Sequence, residues 1–305
     1  MKLQKILENV YLVDLEPSIE NFEKFIASYI VLGEKVAIIE TGPRCSVEGI
    51  LEALDKIGVG LEEVDYVAVS HIHLDHAGGV GTLLKKLPNA KLVVHEKGVF
   101  HMSNPTKLWE SSKQVLGWLA EKYGELEPVP SEKILVGKDG LKIDLGKNIK
   151  IDVLETPGHA SHHLSFFNQE DGVLFVGEVG GIYSEEFNIV RPSTPPPSFD
   201  PIQNFRSIDR LVNLNPKILC YSHFGVTKEI QKLSIYKDRL KLWLRIVAEE
   251  YKQKSVEEIF EKILEEDRNV RPIANLWRER FFMLNSVKGM VYYLERHGLP
   301  SSWDK

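Results

Sequence analysis

Cysteine is nearly absent from this chain: there are two in 305 residues, Cys45 and Cys220. Two cysteines so far apart build neither a disulfide framework nor a CxxC zinc site, so any metal must be held by histidine and carboxylate. Long apolar runs are missing too, and nothing approaches the roughly 18 residues that span a bilayer. The first residues, MKLQKILENVYLVDLE, contain no clean apolar stretch and no small-residue cleavage site, so no signal peptide is read and a cytoplasmic location is expected. Dense Lys/Arg tracts are also lacking, and the formal net charge is −6, which gives no electrostatic footprint for nucleic acid. The most basic stretch, KEIQKLSIYKDRLKLWLR, is interleaved at helical spacing and reads as a solvated helix face. A small-molecule substrate is therefore expected, with neither nucleic acid nor membrane as partner.

What is present has a two-part organisation. VYLVDLE and ASYIVLGEKVAIIETG read as strands with a turn at Gly33–Glu34, and SVEGILEALDKIG as a helix with Ser46 placed to cap it. DYVAVS is a short buried-type strand, GTLLKKL a helix, AKLVVHE a strand, and residues 104–123 one amphipathic helix. Beyond Pro130 the pattern repeats in kind, with strands in EKILVG, LKIDLG, IKIDVLETPG, HLSFFNQ and GVLFVGE. The prolines of RPSTPPPSF (residues 191–199) dictate a rigid extended loop, which is followed by a helix in IQNFRSIDRLVNLN and a strand in KILCYSHFG. From Thr227 onward the pattern is helical, with a capping box at Ser255 and Glu258. Two similar strand–helix halves imply two packed sheets with helices outside. We assign residues 1–226 to that body and 227–305 to a helical extension expected to cover the site and to offer a pairing surface for a homodimer.

The densest chemistry lies in HIHLDHAGG, residues 71–79, directly after a strand. His71 and His73 alternate onto one side of an extended segment, and Asp75 and His76 follow as the chain curls into a helix. Crowding these groups without a metal would set them to repel one another on protonation and strand polar atoms on burial. The spacing makes two clusters: one ion leaves donors over, and a second uses the rest. His159 in TPGHASHH, Glu178 in LFVGE and His223 in CYSHFG each follow a strand, so all can converge on one sheet edge. Tyr183, just past the Glu178 turn, is placed as a candidate donor to a substrate carbonyl. His95 and His101 are candidates for lining or supporting the pocket, His162 and His163 for orienting the ligands, and His297 reads as surface.

These motifs resemble those of the metallo-β-lactamase superfamily over residues 1 to about 225. The resemblance implies an α+β fold, an αββα sandwich of two mixed β-sheets flanked by helices, with a two-metal site between the sheets. It implies His71, His73 and His159 on the first ion and Asp75, His76 and His223 on the second. The family's bridging aspartate is matched here by Glu178, a departure that adds one methylene and sets the carboxylate deeper. The implied cofactor is Zn²⁺ at both sites, with Fe or Mn as the other candidates. The implied reaction is hydrolysis of an ester, thioester or lactone by a metal-bridging hydroxide, with Asp75 carrying a proton to the leaving group. Flavin-linked di-iron members replace the second histidine of the motif with glutamate, and His73 stands there instead. A mononuclear iron persulfide dioxygenase, a phosphodiesterase and a non-catalytic binding module remain alternatives within the same fold.

Overall fold

A computed structural model describes residues 2–299. Seven strands form the first sheet, in sequence order: β1 (Lys2–Leu7), β2 (Val10–Asp14), β3 (Ala27–Leu32), β4 (Val36–Ile39), β5 (Val64–Ala68), β6 (Lys91–His95) and β7 (Ile134–Gly137). The pairs from β1 to β4 are antiparallel and those from β4 to β7 parallel. The chain then lays down β8 (Lys142–Asp144), β9 (Lys150–Glu155), β10 (Leu164–Asn168) and β11 (Val173–Gly177). A separate hairpin follows, β12 (Ile182–Ser184) with β13 (Ile189–Arg191), and then β14 (Ile218–Tyr221) and β15 (Gly225–Thr227). The second sheet runs β15-β14-β11-β10-β9-β8 and is also mixed, because β11 pairs parallel with β14.

Strand residues alternate between two cores, which explains why these strands read as unbroken apolar runs. In β11, Val173 and Phe175 face the inter-sheet core, while Leu174 and Val176 face outward. In β4, Ala37 and Ile39 point between the sheets, and Val36 and Ile38 point to the helices on the far side. The inter-sheet layer is built from residues such as Tyr29, Val31, Phe166 and Phe175.

Helices cover both outer faces. On the first sheet lie α1 (Val47–Lys56), the short α2 (Leu74–Ala77) and α3 (Val80–Leu84), then α4 (Glu96–Ser103), α5 (Thr106–Leu116) and α6 (Trp118–Tyr123). The single helix expected over residues 104–123 is two, because Gly117 adopts φ 58° and turns the chain between α5 and α6. Ser46 heads α1 but makes no side-chain capping bond. On the second sheet lies α7 (Pro201–Asn213), started by Asp200, whose carboxylate accepts from the amides of Ile202 and Gln203 at 2.9 and 3.0 Å. Beyond β15, which like the β12–β13 hairpin is additional to the expected strands, come α8 (Lys232–Glu250), α9 (Val256–Glu266), α10 (Arg271–Ala274) and α11 (Trp277–His297). The capping box at Ser255 and Glu258 is formed. Together the architecture is an α+β sandwich of two mixed sheets flanked by helices, with further helices at its C-terminal end.

The C-terminal helices are tied to the body at depth. Tyr236, Leu240 and Trp243 of α8 pack on the outer residues of β11 and β14. Arg239 and the Trp243 indole both donate to Asp267, at 2.6 and 2.9 Å, and Arg191 pairs with Glu279 of α11 at 2.6 Å. All of these charges are buried, so each survives only because its partner is in place. Gly289 of α11 lies against the proline-rich loop so closely that a Cβ there would run into the Thr194 carbonyl.

Candidate metal centre

Four strand-end segments deliver donors to one edge of the sandwich. His71 and His73 follow β5, Asp75 and His76 lie on α2, His159 follows β9, Glu178 follows β11 and His223 follows β14. At the end of β11, Gly177 has φ 67°, and a Cβ there would meet the His163 ring; a bare backbone lets the chain turn and aim Glu178 inward. His163 supports that turn by accepting the Glu178 amide at 3.0 Å, while its other nitrogen contacts the Thr156 hydroxyl at 2.8 Å.

Seven side chains form two donor sets. His71, His73, His159 and Glu178 make one and Asp75, His76 and His223 the other, and within each set the donor atoms lie inside 4.8 Å of one another. His71 Nε2 is 2.8 Å from His73 Nδ1, which is 3.2 Å from His159 Nε2. Glu178 Oε2 lies 3.3 Å from His71 Nε2, 3.2 Å from His159 Nε2 and 3.0 Å from His76 Nε2, so one carboxylate touches both sets. Its other oxygen is 3.8 Å from His223 Nε2, and Asp75 is 3.5 Å from His223 and 3.9 Å from His76.

These separations fit metal ions. Donors about 2.0–2.1 Å from a tetrahedral zinc stand about 3.3 Å apart, close to the spacing in the first set. The tautomers fit as well. His159 Nδ1 meets the Ser193 carbonyl at 2.9 Å and His223 Nδ1 meets the Phe25 carbonyl at 2.8 Å. A carbonyl only accepts, so both Nδ1 atoms carry the hydrogen and both Nε2 lone pairs face the cluster. His71 Nδ1 is held by the Ser70 hydroxyl at 2.9 Å. Nitrogens that converge lone pair to lone pair need a cation among them.

The electrostatics favour the ligating form at two histidines of the first set. Burial, followed by the neighbouring imidazoles, pushes His71 well below the usual histidine range and His73 down to about 4. Both stay neutral, the form that ligates. Burial also disfavours charge on His76, but the Glu40 and Asp75 carboxylates outweigh it and raise its proton affinity. Glu178 is held well below the carboxylate range because His159 and His223, with hydrogen bonds from His71 and His76, overcome its burial.

Sequence reading did not single out Glu40. It is buried, adopts φ 65°, accepts from the Ser222 hydroxyl at 2.8 Å and the Ser70 amide at 3.3 Å, and stands 3.5 Å from His76 Nδ1. It therefore ties together three ligand-bearing segments. Its signal was an acid placed directly after the all-apolar VAII, at the sheet edge where the ligands gather. Ser193, inside the proline-rich loop, was missed as well: it donates to Glu178 Oε1 at 2.6 Å while its carbonyl orients His159.

Tyr183 is a correction. It is buried, its hydroxyl donates to Asn188 at 2.9 Å, and its backbone pairs with His223 and Phe224 at 2.7 Å. It is not among the residues around the cavity that opens onto the donors. The β12–β13 hairpin turns its ring toward packing, so it brackets the His223 loop rather than facing a substrate. His101 and His162 do line that cavity, and burial pushes His162 down to about 3. His95 instead caps α4, accepting from the Lys97 amide, and His297 is exposed.

An αββα arrangement with paired histidine–carboxylate donor sets at one sheet edge defines a class of metalloprotein folds. The sequence pattern of the metallo-beta-lactamase superfamily matches residues 23–223, and the chain belongs to that superfamily. A metallo-beta-lactamase fold-containing protein of Sulfurisphaera tokodaii is 31% identical over 248 residues, covering 77% of this chain and 89% of that protein. The crystal structure of an archaeal superfamily protein from Sulfolobus tokodaii superposes with a TM-score of 0.69 at 26% identity, covering 93% of this chain and 98% of the other. A hydroxyacylglutathione hydrolase of Prochlorococcus marinus is 28% identical over 200 residues, 63% of this chain and 62% of that protein. No helix among the described residues is long and apolar enough to cross a membrane.

Proposed function

We propose that this chain is a metal-dependent hydrolase of esters, thioesters or lactones, working on a small-molecule substrate at a two-ion site. The observation that carries the reading is the Glu178 carboxylate, within 3.0–3.3 Å of nitrogens from both donor sets. His71, His73 and His159 would hold one ion, Asp75, His76 and His223 the other, with Glu178 shared between them. The all-nitrogen and oxygen donor set suits zinc, with iron or manganese as the other candidates. When bound, such ions supply Lewis acidity, which makes water acidic near neutral pH and polarises an acyl carbonyl.

The chain's own groups do the rest. The Ser193 and Phe25 carbonyls hold the His159 and His223 rings in the ligating tautomer. Asp75 borders the cavity and stays partly exposed, at 13% of its side chain, so it can take a proton from water and pass it to the leaving oxygen or sulfur. The balance is that of hydrolysis: water's oxygen bonds to the acyl carbon, the acyl C–O or C–S bond breaks, and the leaving group departs with water's proton. Relatives named hydroxyacylglutathione hydrolase support acyl transfer to water over phosphodiester cleavage. Residues of α11 (Phe282, Asn285 and Ser286) form part of the cavity wall, so the C-terminal helices would shape what binds.

The test is protein stripped of metal, reloaded with zinc, manganese or iron, and assayed on thioesters, lactones and phosphodiesters. An oxygen electrode with glutathione persulfide runs alongside. Metal-dependent acyl hydrolysis is expected. Oxygen uptake with iron and no hydrolysis of any substrate would overturn the reading in favour of a dioxygenase, and phosphodiester cleavage alone would replace the substrate class.

A further inference from the structure

The cavity above the donors is about 330 Å³. At roughly 30 Å³ for each water-sized group, that is room for about ten non-hydrogen atoms. Its apolar lining comes from Leu108, Val115 and Leu116 of α5, Phe282 of α11 and the run Pro195–Pro197. Ile72 and Leu74, which flank His73 in the chain, line it as well. Its polar lining other than the donors is histidine (His101 and His162), serine and Asn285, and among the described residues no Lys or Arg borders the space. Its two carboxylates, Asp75 and Glu178, both lie at the donor end. A chain laid away from the donors thus meets apolar walls built partly of proline, which is already rigid and costs little to order. A negatively charged group there would lose its hydration and find no Lys or Arg to pair with.

We infer that the site takes uncharged substrates whose acyl group is an unbranched apolar chain of about eight carbons, and that it rejects substrates carrying a carboxylate on that chain. This rests on the hydrolase reading above and narrows it. Selectivity comes from α5, α11 and the proline-rich loop, which pack around the chain beyond the reacting carbonyl.

The experiment has two arms on the full metal-loaded protein. The first measures kcat/KM for ethyl thioesters of straight-chain acids from two to twelve carbons, with the succinyl half-thioester as the anionic comparison. Each added methylene should raise kcat/KM about fourfold up to about eight carbons, followed by a plateau. The succinyl compound should be slower than the butanoyl compound of the same backbone length by about 10² or more. The second arm measures binding of the N-ethyl amides of the same straight-chain acids by calorimetry, which needs no turnover; affinity should climb by the same step and level off at the same length. Ser112→Arg, on a partly exposed helix position, should shift the succinyl-to-butanoyl ratio at least tenfold toward the anion. Rates and affinities flat with chain length, or a wild-type preference for the succinyl compound, would overturn the inference. Length-dependent amide binding with no thioester, ester or lactone turnover would uphold the pocket and bring down the hydrolase reading instead.

Discussion

Ser193→Ala removes one oxygen and leaves all seven donors in place. Its hydroxyl donates to Glu178 Oε1 at 2.6 Å, and the next partner of that oxygen, His223 Nε2, is at 3.8 Å. A hydrogen bond to a buried charged acceptor contributes about 1.5–3 kcal/mol. That is about 10–100-fold in an equilibrium constant, the usual scale for losing a group that orients a metal ligand. The Ser193 carbonyl is untouched, so His159 keeps its tautomer and the first set should change less than the shared carboxylate. Chelator-competition titration of the stripped protein with zinc should show weakening of about 10–100-fold, and excess zinc should restore most of the turnover. Thr194→Val is the control: it cuts the bond from Thr194 Oγ1 to the Ser286 carbonyl at 2.8 Å without touching Glu178. It should lower stability by about 1 kcal/mol and leave zinc affinity unchanged. Equal zinc affinity in Ser193→Ala and wild type would refute the reasoning. So would equal weakening in both variants, because the loop as a whole, rather than the hydroxyl, would then be responsible.

Asp75→Asn should keep most of the first ion while weakening the second, and kcat should fall by about 10² or more; retention of full turnover would remove Asp75 from proton transfer. Asp14, which is not one of the metal donors, gives a stability prediction. Burial, with some help from Glu16, pushes its carboxyl up to about 6 from 3.8, against the Lys24 amide that donates to it. The raised folded value means that its favourable contribution is whole below about pH 4 and is lost as pH rises through 6. Asp14→Asn should therefore gain about 1–2 kcal/mol over wild type at pH 7.5 and nothing at pH 3.5, and parallel stability curves for the two proteins would count against it. Gly289→Val should drive a side chain into the Thr194 carbonyl and lower Tm by several degrees with loosening of the proline-rich loop; an unchanged Tm would show that α11 can shift away.

The sequence by itself determined the chemistry that is local in the chain. HIHLDH puts four donors within six residues, and no other arrangement of those groups is cheap to bury. His159, Glu178 and His223 could be picked out because each stands just past an apolar run, and strand ends in layered α/β folds face clefts. The prolines of residues 191–199 announced a rigid loop, though not what it would hold. The tertiary structure alone decided the partners. Ser193 orients Glu178 across 15 positions, Phe25 fixes the His223 ring across 198, and Glu40 reaches Ser222 across 182. A backbone carbonyl has no sequence signature, and a serine or an acid beside a strand looks the same whether it supports a ligand or faces water. Tyr183 shows the converse: its place after the Glu178 turn suggested the cleft, but the β12–β13 hairpin pairs its backbone with His223 and gives its hydroxyl to Asn188. Local pattern records which groups can ligate, because ligation needs particular atoms. Which groups orient them depends on where distant strands end relative to one another, and that register is set by the packing of the two sheets.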